Sequence, residues 1–150
     1  METLPLGAKN CEKLRIGETK HHRLYFAPFS FVNTDAKLVI VGITPGPRQL
    51  ELAISAVRQF PTHSSQSVLQ EIKRLASFGS SSMRPNLLKM LAHFDVRKRL
   101  DISAEEDLWG SAGRLLQTAS VVTHATFELK PDGTEKPFNG KFLEVLRSPL

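Results

Sequence analysis

Two glycines and two prolines enclose a single hydroxyl in Gly42-Ile43-Thr44-Pro45-Gly46-Pro47. Proline holds φ near one value and glycine lets backbone approach closely, so this path is rigid and presents its amides and the Thr44 hydroxyl together. The apolar run Leu38-Val39-Ile40-Val41 precedes it. Leu50, Ala53, Ile54, Val57 and Phe60 follow at the spacing of one helix face. The loop therefore stands between a strand and a helix, where an open α/β sheet binds its ligands and where a helix N-terminus favours an anion. The chemistry this suits is capture of a polar or anionic ligand, with Thr44 able to orient it or a water molecule. Nucleotide loops of the usual kinds are excluded, because the Rossmann glycine pattern is absent and no Gly-Lys-Ser/Thr follows.

A second group of candidates is basic. Residues 71 to 99 hold seven bases against two acids, an excess of five that equals the net charge of the whole 150-residue chain. Lys73, Arg74, Arg97, Lys98 and Arg99 are the residues expected to meet phosphates, the alternative being a solvated helix face with a basic turn. The remaining groups point to no reaction. His21, His22, His63, His93 and His124 show no metal-ligand spacing, and the lone Cys11 excludes an internal disulfide and a Cys-rich metal site. Neither a metal nor a cofactor is expected. Glu105, Glu106 and Asp107 suit the first turn of a helix.

The elements that must position these residues begin with Leu38 to Val41, which reads as a central strand with both faces apolar and hence as part of a parallel sheet covered on each side. The first helix follows the loop. A second is marked by Val68, Ile72, Leu75 and Ala76, opening through a capping box of Ser67 and Gln70 and ending at Gly79. Leu87, Leu88, Leu91 and Phe94 mark a third, with Pro85 in its first turn. A fourth is expected from Ser103, with Glu106 three residues on, through Leu108, Ala112, Leu115 and Leu116. A single strand is expected from Thr118 to Phe127, then turns at Pro131-Asp132-Gly133 and Phe138-Asn139-Gly140, then a helical start at Phe142, Val145 and Leu146. No run is apolar enough to span a membrane, and the N-terminal ten residues lack the order of a secretion signal, which predicts a soluble cytoplasmic protein.

The segment Leu38 to Pro47, L-V-I-V-G-I-T-P-G-P, resembles the first motif of the uracil-DNA glycosylase superfamily, which reads G-Q-D-P-Y, G-I-N-P-G or G-E-A-P-G in different branches. Ser120-Val121-Val122 stands where that family has a strand carrying a base-reading asparagine. The resemblance implies one domain over residues 1–150 with three layers, α/β/α, around a central parallel sheet left incomplete at the C-terminus. It implies a base pocket of Gly42, Ile43, Thr44, Pro45, Gly46 and Ser120, with Thr44 in the catalytic water-positioning place and DNA as partner. The function it implies is excision or recognition of a flipped base such as uracil; the alternative is a nucleic-acid-binding module without chemistry.

Two departures bear on this: Thr44 stands where the classical enzymes have an aspartate, and Ser120 replaces the asparagine. The family's leaving-base histidine has no counterpart in the chain. A third reading is a phosphoester or nucleotide-sugar enzyme that uses the same loop as an anion cradle. The end at Ser148-Pro149-Leu150 resembles a helix opening, which points to the N-terminal part of a longer protein. The alternative is a complete α+β domain with short edge strands around Leu24 to Phe31.

Overall fold

The computed structural model describes residues 12–59, 65–138 and 140. Among them the strands and helices run in the order β1 (Arg15–Glu18), β2 (His22–Tyr25), β3 (Leu38–Gly42), α1 (Pro47–Gln59), α2 (Ser65–Ala76), α3 (Met83–His93), α4 (Val96–Leu100), β4 (Leu116–Ser120), β5 (Ala125–Leu129) and β6 (Glu135–Pro137). Short 3-10 turns occupy Glu105–Trp109 and Gly113–Leu115 before β4.

The strands form two sheets. One is antiparallel, in the order β1-β2-β5-β6, and the other is a parallel pair, β3-β4. The expected three-layer domain around a central parallel sheet is therefore overturned: the fold is mixed α/β, and its larger sheet is antiparallel. The reason lies in the run Leu38 to Val41. Leu38 and Ile40 pack against the buried cluster that holds Leu116, whereas Val39 and Val41 are exposed, so this strand buries one face only. The antiparallel sheet escapes a reading by hydrophobicity because its strands are rich in polar residues. Arg23 bridges Glu18 and Glu135 at 3.0 Å each, and the Tyr25 hydroxyl donates to Glu135 at 2.6 Å. The β5-β6 connection is a tight turn that needs Gly133, at φ 79°, with Asp132 accepting from Thr134.

Three apolar clusters join these parts. Leu50 of α1 meets Tyr25, Ala125 and Phe127 of the antiparallel sheet. Ala53 and Ala56 of α1 meet Ile72 and Ala76 of α2, where small residues let the two helices approach closely. Leu91, Leu108, Trp109 and Leu115 cover the buried face of the parallel pair. The helix after the loop is present, with Gly46 accepting the first helical bond from Leu50 at 3.0 Å and Pro47 at the first helical position. Phe60, Phe142, Val145 and Leu146 lie outside the described residues.

Four expectations about these elements are corrected. The second helix begins at Ser65 rather than at a Ser67 cap. It stops where Phe78 turns left-handed at φ 55°, and Gly79 is required there because a Cβ would sit 2.7 Å from the Leu75 carbonyl oxygen. The expected fourth helix is replaced by the two 3-10 turns, and Leu116 opens a strand instead; the two glycines, Gly110 and Gly113, weaken helical propagation, and Asp107 caps the Ala104 amide at 3.0 Å. The expected strand Thr118 to Phe127 is two strands of different sheets, divided at residues 121–124. Phe94, expected on the buried face of α3, is exposed.

Candidate functional site

The loop Gly42–Pro47 leaves the carboxyl end of β3, as its sequence predicts. Gly42 pairs with Ser120, and the pairing runs on past the strands, with the Val121 amide donating to Gly42 at 3.0 Å and the Val122 amide donating to Ile43 at 2.8 Å. The two segments singled out in the sequence thus converge on one end of the parallel pair.

The Thr44 hydroxyl donates to the His124 carbonyl at 2.7 Å and accepts from the Thr126 amide at 3.1 Å. Those groups open β5, so Thr44 ties the parallel pair to the antiparallel sheet. Gln49 fills the place of an anion at the head of α1, its side-chain oxygen accepting from the Gly46 amide at 2.9 Å. Of the expected pocket residues, Pro45 and Ser120 line a cavity of about 180 Å³. Gly42 lies beside the Phe78 ring, Ile43 is exposed next to Gly140, and neither lines it; nor do Thr44 and Gly46.

This small cavity is walled by the aromatic residues Phe29, Phe31 and Phe78 and by the polar residues Gln49, Ser120 and Thr123. A larger cavity of about 570 Å³ adjoins it, the two sharing Phe31, Lys73, Gln117 and Thr118 as walls. Phe31 is held in place by its neighbours: the Asn33 amide donates to the Gln117 side chain at 2.9 Å, and the Asn33 side chain donates to the Arg114 and Leu116 carbonyls at 2.9 Å each. These side chains fasten the segment after Phe29 to β4.

Lys73 stands at the junction. Its amine donates to the Thr118 carbonyl at 2.5 Å and lies 6.0 Å from the centre of the Phe29 ring. No carboxylate forms an ion pair with it among the described residues. Burial without a counter-charge pulls its pKa down to about 8, because the charged form loses water and gains only one carbonyl. The Thr118 hydroxyl donates to Ser77 at 2.8 Å and completes the polar floor.

The basic candidates separate in space. Arg74 is exposed, pairs with Glu71 and lines the larger cavity. Arg97, Lys98 and Arg99 form the exposed turn of α4 and line neither cavity; Arg99 donates to the Phe94 carbonyl at 3.2 Å. Arg114 and Trp109 join the larger cavity, and Arg84 stacks 5.1 Å from the Trp109 ring while donating to the Leu75 carbonyl of α2 and the Ser77 carbonyl just after it. Sequence reading missed Gln49, Gln117, Thr123 and Arg114, since each is an ordinary surface residue by type and gains its place only through long-range packing. Among the described residues no three His, Cys, Asp or Glu side chains gather to hold a metal ion, and no helix is long and apolar enough to cross a membrane. Cys11 lies outside the described residues.

No protein-family model matches the chain, and no solved structure matches it. It is similar to the uncharacterized protein YoxB of Bacillus subtilis (strain 168), with 33% identity over 144 residues, covering 93% of this chain and 53% of that relative. The chain therefore spans about half the length of the curated relative it matches.

Proposed function

We propose that the chain recognises a single unstacked base of a DNA strand in the small cavity at the carboxyl end of β3 and β4. The observation that carries this reading is the meeting of Pro45 and Ser120, one from each segment that resembles the uracil-DNA glycosylase superfamily, in the wall of one cavity of about 180 Å³. Ring faces from Phe29, Phe31 and Phe78 suit stacking, which is the sequence-tolerant part of base binding. The side chains of Gln49, Ser120 and Thr123 suit the edge of a base, and an aromatic slot with a few convergent polar groups is the usual form of a small-ligand site.

Recognition is favoured over excision. Cleaving an N-glycosidic bond needs a group that orients water and another that meets the departing negative charge. The Thr44 hydroxyl spends its proton on the His124 carbonyl and one lone pair on the Thr126 amide, so it is a structural clamp first. The exposed bases Arg97, Lys98 and Arg99 supply non-specific attraction for the strand, which has no need of a pocket. A cytoplasmic location belongs to the same proposal.

The test fills the cavity. Ser120→Trp is compared with the parent for binding to a single-stranded oligonucleotide carrying one uracil and to the same strand with an abasic site, by fluorescence anisotropy. The expected outcome is that the parent prefers the uracil strand by roughly tenfold, the value of one base stack, and that Ser120→Trp loses the preference while retaining affinity for the abasic strand. Equal binding of both strands by the parent overturns the reading.

A further inference from the structure

The amine of Lys73 is a partly desolvated charge at the junction of the two cavities. It is half-buried, has one carbonyl partner and no carboxylate, and lines both cavities at once. A desolvated cation with this surrounding is costly unless something negative arrives. The larger cavity brings two more cations to the same space, Arg74 and Arg114, against one acid, Glu71, which is already engaged with Arg74. Its walls also include Gln70, Gln117 and the buried Trp109. The cavity is therefore positive, roomy and partly aromatic.

We infer that the larger cavity is a phosphate site, in which Lys73, with Arg114 beside it, holds the backbone phosphodiester next to the nucleotide whose base enters the small cavity. The inference rests on the base-recognition reading for the identity of the strand, and on the cavity alone for the anion. It gives Lys73 a different task from Arg97, Lys98 and Arg99: these attract any polyanion from the surface, whereas Lys73 fixes one phosphate relative to the base pocket. A single lysine shared by two adjoining cavities sets the spacing between base and phosphate, and an unstacked nucleotide alone presents both at once.

Lys73 provides its own reporter. An anion beside the amine favours the charged form, so binding raises its pKa from about 8 and draws a fraction of a proton per site from solution at pH 8. The charged groups that line the larger cavity with it are Glu71 and Arg74 on α2 and Arg114 before β4, while β4 itself carries no titratable side chain. Paired carboxylates and guanidinium groups keep their charge at pH 8, and a phosphodiester does not titrate there, so the uptake belongs to Lys73.

The experiment is isothermal titration calorimetry of the full chain at pH 8 in two buffers of different ionisation heat, with a short single-stranded oligonucleotide carrying uracil and the same strand with an abasic site. The parent is expected to take up a proton with both. Lys73→Met is expected to bind roughly ten- to hundredfold more weakly. Lys73→Arg is expected to keep most of the affinity and lose the proton uptake, because its guanidinium does not titrate. If the two strands bind equally and proton uptake persists, the phosphate site stands and the base pocket falls. If the parent takes up no proton and Lys73→Met binds as tightly as the parent, the phosphate site is overturned, whatever base preference remains.

Discussion

Thr44 shows how a residue's place can follow from the sequence while its partners do not. Its position after a strand and before a helix follows from local spacing, and the structure keeps it there. Its partners do not follow, because the His124 carbonyl and the Thr126 amide lie some eighty positions along the chain and no local pattern announces them. The hydroxyl joins two sheets, so its loss should register first in stability. Thr44→Val keeps shape and volume but leaves a carbonyl and an amide without this partner, at a cost of about 1–3 kcal/mol. Thr44→Ser keeps both bonds. Urea unfolding is expected to show a lowered midpoint for valine at unchanged slope, and a midpoint near the parent's for serine. A valine variant as stable as the parent would show that the clamp is incidental. Lys73, expected to meet phosphates as part of a basic run, likewise had a legible charge, whereas its half-buried place between two cavities was not legible.

Elements were legible where apolar period and punctuation agree. The helices around Leu50 to Ala56, Val68 to Ala76 and Leu87 to Leu91 carry their apolar residues at helical spacing, and all three form. The strands β1 and β6 were not legible, and β2 was met only by the alternative of short edge strands around Leu24 to Phe31, since Arg15–Glu18, His22–Tyr25 and Glu135–Pro137 are short, carry charged residues and owe their stability to pairing within the antiparallel sheet. The strand expected from Thr118 to Phe127 failed for the opposite reason: β-branched residues continue across the bend at 121–124, so nothing in composition marks the change of sheet. Punctuation can also succeed for a reason other than the usual one. Gly79 ends α2 not through a left-handed backbone, which Phe78 supplies, but because no side chain fits between it and the Leu75 carbonyl. Gly79→Ala is therefore expected to cost about 1–3 kcal/mol, as overpacking does, in spite of alanine's better helix propensity. A neutral or stabilising effect in thermal unfolding would mean that the turn relaxes freely.

At the scale of the whole molecule, the parallel pair is the exposed flank of the fold. Parallel strands are normally covered on both faces, yet Val39 and Val41 are each 58% exposed, Val121 55% and Ile43 44%. Each of the two strands also has one edge unpaired within the described sheet. Such a strip favours contact between copies, and the net charge of +5 opposes it. The two effects separate by salt, because screening weakens the repulsion between copies and also weakens the attraction for a nucleic-acid strand. Sedimentation velocity is therefore expected to show concentration-dependent association of the parent that strengthens as salt is added, while strand binding declines over the same range. Replacing Val39 and Val41 together by lysine puts charges on the exposed face and leaves Leu38 and Ile40 in the core. That variant should stay monomeric at every concentration with its unfolding transition kept, and a parent that is monomeric throughout, even at high salt, would show that the strip is too small to associate.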